Sequence, residues 1–305
     1  MLIRVARAAL HFWEEPCISG TAGSGAVFFS GCNLGCVFCQ NYEISRGRVG
    51  KNITVQRLSD IFLELQDKGA NNINLVAAGH FLPQVIDALE DAKNRGLTIP
   101  IVYNSSSYEK VEAIRDLDGL VDIYLPDLKY VSSGLSEDFS KAPDYFEVAS
   151  KAIEEMVRQT GEPEFFVKKK ASLNQQMSLW ESEDVMDAAT YNECADDLMS
   201  EGREVLIKRG TIVRHLLLPG CTEDSKAVVK YLYETYGDSI FISIMNQYTP
   251  MPQVASHPLL SRKVTDDEYN EVLDYAIDLG IENAFMQEGD VAEESFIPDF
   301  DCEGV

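Results

Sequence analysis

Three cysteines, Cys32, Cys36 and Cys39, stand in a C-x3-C-x2-C spacing within residues 31–40. Three thiolates so close in the chain can wrap one small inorganic centre, and thiolate is a soft ligand suited to zinc or to iron–sulfur clusters. A structural zinc site closes with a fourth ligand, often from a second C-x2-C or a His pair at set spacing, and no such pair follows here. Three ligands on a four-iron cluster leave one iron open, and an open position marks chemistry more than scaffolding. A zinc loop and three unrelated buried cysteines are the alternatives at this point.

Further polar residues stand where apolar runs end. Asp127 and Lys129 are two apart, so in extended chain they point to one side, as a salt-bridged pair or as a binding pair. Arg214 alternates with aliphatic residues, and a buried arginine requires an anionic partner. His80 stands at a strand-to-helix junction, and Asn104 and Ser105 end another run, where they cap the next helix or bind a hydroxyl. Gln247 and Tyr248 follow a third run, and tyrosine either packs or stacks on a planar ligand.

The elements that position these residues are read from periodicity. The run 26–30 is a buried strand just before the cysteines. Thr54 caps a helix carrying Leu58, Ile61, Phe62 and Leu65. Strands are expected at 73–77, 100–103, 122–125, 211–218, 240–244 and 284–287, with helices at 82–89, 108–116, 146–157, 225–236 and 266–279 between them. This alternation argues a parallel sheet with right-handed crossovers, whose strand ends carry the chemistry. Within residues 1–25, Gly20, Gly23 and Gly25 mark a loop leading into the first strand, and the tail at 298–302 shows little pattern.

The chain has 305 residues, 45% of them hydrophobic, which suits one large domain spanning 1–305. No apolar run is long enough for a membrane span, and the start lacks a signal-peptide core, so a cytoplasmic setting is expected. A formal charge of -24 repels phosphate backbones and argues against nucleic acid. Seven cysteines at uneven spacing argue against a disulfide framework. Cys17, Cys194, Cys221 and Cys302 are scattered, and neither Cys17 nor Cys221 acquires a role from the sequence.

Residues 167–204 break the rhythm. Lys168, Lys169 and Lys170 begin a polar run to Trp180, and 181–201 then holds eight acids and no Lys or Arg. Val185, Ala188, Ala189, Ala195, Leu198 and Met199 suggest an amphipathic acidic helix, read as an insertion that decorates the surface or docks a protein partner.

With an aromatic, Phe38, before the last cysteine, the motif resembles the radical S-adenosylmethionine (SAM) superfamily. The segment from Glu14 to Gly20, Glu-Glu-Pro-Cys-Ile-Ser-Gly, the Asp127-x-Lys129 pair and Val213-Arg-His-Leu-Leu-Leu-Pro-Gly220 resemble its pyruvate formate-lyase-activating-enzyme-like subgroup. The resemblance spans nearly the whole chain outside the insertion. It implies a partial (β/α)6 TIM-like barrel, an α/β fold. Cys32, Cys36 and Cys39 are then the metal ligands of a [4Fe-4S] cluster, with SAM on the fourth iron. SAM contacts are implied for Phe38, His80, Asn104, Ser105, Asp127, Lys129, Arg214, Gln247 and Tyr248. The second strand ends in Ala77-Ala-Gly-His80 where many members have Gly-Gly-Glu-Pro, and Ser107 stands where relatives often have Gly. The implied reaction is reductive cleavage of SAM to a 5′-deoxyadenosyl radical that abstracts hydrogen from a substrate. That substrate is the glycine of a glycyl radical enzyme, or else another peptide, protein or small molecule. A flavodoxin or ferredoxin is implied as electron donor.

Overall fold

The structure is a computed structural model that describes residues 2–168, 185–287 and 298–305. Its first half runs β1 (Ile3–His11), α1 (Pro16–Ser19), β2 (Ser24–Phe29), α2 (Tyr42–Ser45), β3 (Lys51–Ile53), α3 (Val55–Asp67), β4 (Ile73–Val76), α4 (Leu82–Asn94), β5 (Ile101–Ser105), α5 (Val111–Arg115) and β6 (Ile123–Pro126). There follow α6 (Ser133–Ser140), α7 (Tyr145–Thr160), β7 (Glu164–Lys168), β8 (Val185–Asp187), α8 (Ala188–Ser200), β9 (Glu204–Leu216), α9 (Thr222–Tyr236), β10 (Phe241–Met245), α10 (Asp266–Asp278) and β11 (Ala284–Met286).

The fold is mixed α/β around a parallel sheet. Strands β2, β4, β5, β6, β9, β10 and β11 lie side by side in parallel register. Every residue of β2, β4, β6 and β10 is buried, the pattern of strands covered on both faces. The covering helices bury the stripes their periodicity requires. Helix α3 turns Leu58, Ile61, Phe62 and Leu65 inward behind its Thr54 cap, and α10 opens on a capping box of Thr265 and Glu268.

Two regions depart from the expected parallel alternation. Residues 3–11, to which periodicity assigns no element, form a strand: β1 pairs antiparallel with β2 on one side and with β3 on the other. Its alanines have weak strand preference and Arg4 and Arg7 interrupt its apolar pattern, so only pairing with β2 makes it a strand. The tail is also ordered by β1. Ala6 accepts from the Cys302 N–H at 3.0 Å, Ala8 donates to Glu303 at 2.9 Å, and Arg7 pairs with Asp301 and Glu303. The tail thus covers an edge that β3 leaves open.

The second departure is at 164–209. Strand β7 pairs antiparallel with β8 and with the first half of β9, so β9 begins at Glu204, well before Thr211. Gly210, at φ +146°, is the bend after which β9 joins the parallel sheet, and a Cβ there would meet the Pro163 backbone at 3.0 Å. The expected acidic helix exists as α8, but its anchor is Tyr191, which stacks on Phe165 with ring centroids 4.0 Å apart. Ala195 is buried with it, whereas Val185 and Met199 are exposed. The rest of that expectation, Lys169 to Asp184 with Trp180, lies outside the described residues. Among the described residues no helix is long and apolar enough to cross a membrane.

Candidate functional site

The cysteine loop is pinned at both ends and in the middle. The Gly31 N–H donates to Ile44 at 2.8 Å, and Val37 N–H to Phe139 at 2.8 Å. Gln40 Nε2 reaches the Gln247 carbonyl at 2.8 Å, and Asn33 Nδ2 bonds the Tyr108 carbonyl. Leu34 and Phe38 anchor the loop in the core, where Phe38 meets Tyr130 and Tyr248 edge-on. This leaves Cys32, Cys36 and Cys39 part-exposed, and all three line a cavity of about 260 Å³.

The same cavity is lined from the C-terminal ends of β2, β4, β5, β6, β9 and β10, by Phe29, Ala77, Asn104, Ser105, Asp127, Lys129, Arg214 and Gln247 among others. Six strand ends facing one cavity require a curled sheet, as a partial barrel provides. Phe38 also lines it. Tyr248 does not: it is 1% exposed, and its hydroxyl donates to the Leu260 carbonyl at 2.6 Å. His80 lines a neighbouring cavity of about 490 Å³ together with Cys32, Ser105 and Glu109. There Tyr103 Oη donates to Glu109 at 2.7 Å, and burial pushes the Glu109 carboxyl up. The wall between the two cavities is strained, because Ala77 (φ 60°) and Ser107 (φ 61°) both sit in the left-handed region. Ser107 is fully buried, and its Oγ has no hydrogen-bond partner among the described residues.

The charged residues of the first cavity are already paired within the chain. Lys129 Nζ bonds the Asp127 carboxylate. Burial works against the Lys129 charge, but Asp127 outweighs it and holds its pKa well above the usual lysine value. Arg214 is gripped by two carboxylates: its Nε donates to Glu15 at 2.9 Å, and its Nη2 bonds both Glu14 and Glu15. Burial opposes the Glu15 charge, and Arg214 more than offsets that, so its carboxyl lies below the usual range. Asn74 Nδ2 donates to Glu14 at 2.8 Å. Glu14, with His11 and Trp13, lines the cavity and received no role from the sequence, although Glu14 and Glu15 open the quoted subgroup signature. Pro298 of the tail lines it as well.

The donor set of the site fits the implied cofactors. Burial pushes the Cys32 thiol up to about 11 and raises Cys39, so thiolates here require a cationic partner, which iron supplies. Ser140 Oγ stands 3.0 Å from Cys36 Sγ, a hydrogen bond of the kind that tunes cluster thiolates. The fixed charges of Asp127, Lys129, Arg214, Glu14 and Glu15 leave an excess of one negative charge, which complements the net positive charge of SAM. Among the described residues no group of three His, Cys, Asp or Glu could hold a single metal ion, the three cysteines included, whereas in a four-iron cluster each thiolate binds a different iron.

Residues 26–162 match the model of the Radical SAM superfamily. An uncharacterized protein of Methanocaldococcus jannaschii is 26% identical over 278 residues, 88% of this chain, and the chain spans 65% of that relative's length. Among solved structures the chain is similar to HydG, a maturase of the [FeFe]-hydrogenase (TM-score 0.49, 13% identity, 83% of this chain and 48% of that one). It is also similar to Streptococcus suis SuiB bound to precursor peptide SuiA (0.45, 11%, 83% and 46%). A third is a domain of pyruvate-formate lyase-activating enzyme from Bacteroides vulgatus (0.38, 13%, 69% and 93%). At these scores the structural likenesses decide nothing about chemistry. Residues 26–162 are thus similar to the Radical SAM superfamily, whose members bind a [4Fe-4S] cluster and SAM.

Proposed function

We propose that this chain is a radical SAM enzyme in which Cys32, Cys36 and Cys39 hold the [4Fe-4S] cluster and the adjoining cavity holds SAM. The observation that carries the reading is the convergence of the three thiols and the Asp127–Lys129 pair on one cavity at the strand ends. When bound and given one electron, these cofactors supply a 5′-deoxyadenosyl radical that takes a hydrogen atom from a substrate. The protein's part is to bind, orient and exclude water. Asn104, Ser105 and Gln247 offer hydroxyl and amide groups at the cavity wall, and Lys129 a cation. Arg214, already neutralised, acts on its ligand through Glu14. His80 serves from the neighbouring cavity, and Tyr248 by holding Phe38.

The finer reading is an activase whose substrate is the backbone glycine of a glycyl radical enzyme, working with a flavodoxin or ferredoxin in the cytoplasm. It is supported by the sequence resemblance at 14–20, 127–129 and 213–220. The finding that all seven cysteines are free thiols fits a reducing compartment. We read 1–305 as one catalytic domain with 167–204 inserted into it.

The test is anaerobic reconstitution, followed by iron and sulfide analysis and assay of 5′-deoxyadenosine with dithionite and SAM. Wild type is expected to bind four irons per chain and form the product, and Cys36→Ala to do neither. A Cys36→Ala protein that cleaves SAM as well as wild type refutes the ligand assignment. A glycyl radical seen by electron paramagnetic resonance in a co-purified partner supports the activase. Deuterium passing into 5′-deoxyadenosine from another peptide, protein or small molecule overturns it.

A further inference from the structure

Charge is divided unevenly along this acidic chain. Between Pro16 and Ser59 Glu43 is the sole acid, against Arg46, Arg48, Lys51 and Arg57. Arg57 is paired with Glu64, and Lys51 lies near the Val305 carbonyl. Arg46 and Arg48 are exposed and make no ion pair among the described residues. They follow the cysteine loop directly and flank one ring: the Arg46 and Arg48 guanidinium carbons lie 5.7 Å and 4.8 Å from the Tyr42 ring centre. Arg48 Nη2 also donates to the Tyr42 hydroxyl at 3.2 Å.

This platform touches the cysteine loop at Gly35. Arg46 Nη2 donates to the Gly35 carbonyl at 3.3 Å, and its two terminal nitrogens lie 3.7 Å and 3.9 Å from where a Gly35 Cβ would stand. Gly35, Cys36 and Val37 are part-exposed there. On the far side of the loop Lys141 stands beside Glu137 and Asp138 of α6, so that flank is close to neutral and the basic character belongs to Arg46 and Arg48.

We propose that the Arg46–Tyr42–Arg48 platform is the docking surface for an acidic one-electron carrier protein. The proposal rests on the radical SAM reading, since only a redox centre at the cysteines needs such a partner. An acidic carrier is repelled by most of a chain of charge -24. A local pair of guanidiniums with no acid paired to them among the described residues removes that repulsion and steers the encounter to the loop that covers the centre. The step is balanced: the carrier is oxidised by one electron and the centre at Cys32, Cys36 and Cys39 is reduced by one. The stacked guanidiniums are pre-ordered by the ring and lose little freedom on docking.

The test uses reconstituted wild type and the double variant Arg46→Glu/Arg48→Glu, with a purified acidic ferredoxin as probe. Binding of the oxidised ferredoxin is measured by calorimetry at low and at physiological salt, with no turnover needed. Wild type is expected to bind and to weaken with salt. The variant is expected to bind at least about tenfold more weakly and to lose most of the salt dependence. Electron transfer from reduced ferredoxin should slow in proportion, while dithionite-driven 5′-deoxyadenosine formation stays at the wild-type rate. Equal binding by both proteins, or slowing of the ferredoxin and dithionite reactions alike, overturns the proposal. Failure of the radical SAM reading is told apart, because wild type itself then forms no 5′-deoxyadenosine with dithionite.

Discussion

Replacing Arg214 by methionine tests whether this arginine is neutralised within the chain. The change keeps an unbranched, flexible side chain and removes the cation shared by Glu14 and Glu15, whose side chains are 8% and 6% exposed. Breaking a buried ion pair from one side costs about 3–5 kcal/mol, because the remaining charge is left uncompensated. With an unfolding entropy of about 2.1 cal/mol/K per residue, a 305-residue chain loses roughly 5–8 °C in melting temperature. The loss depends on pH in a direction the pairing dictates. In the wild type the Glu15 pKa is depressed, so its contribution is present above the unfolded-state carboxylate value and is lost as pH falls through the folded value. In Arg214→Met burial acts alone and raises that pKa, so the penalty is full at neutral pH and is relieved as protons bind on acidification. Differential scanning calorimetry of both proteins from pH 7.5 to 5 should therefore show the gap narrowing. A gap that stays constant over that range, or a variant as stable as wild type at pH 7.5, refutes the internal pairing.

Two further outcomes follow from the same geometry. Ser140→Ala removes the hydroxyl 3.0 Å from Cys36 Sγ, so iron content should hold while the cluster's midpoint potential, read by redox titration with electron paramagnetic resonance, becomes more negative; an unchanged potential refutes that role. Thr265→Ala removes the capping-box acceptor that opens α10 and should cost about 1 kcal/mol in denaturant unfolding at unchanged m-value, with SAM chemistry untouched; a loss below about 0.3 kcal/mol contradicts the cap.

What the residue order alone determined is local. The cysteine spacing, the helix stripes of α3, α4, α9 and α10, and the buried parallel strands all rest on patterns a few residues long, and the parallel α/β architecture follows from their alternation. Strand β1 escaped because its small residues carry little strand preference of their own, and α6 because an eight-residue, serine-rich helix shows no full stripe. The anchor of α8 escaped too, since the stacking of Tyr191 on Phe165 is a contact between elements. The arginine read as requiring an anionic partner finds its carboxylates 199 and 200 positions earlier in the chain. No periodicity reports such a pair. Only closure of the sheet brings the start of the chain against β9, and burial then obliges the charges that meet there to neutralise one another.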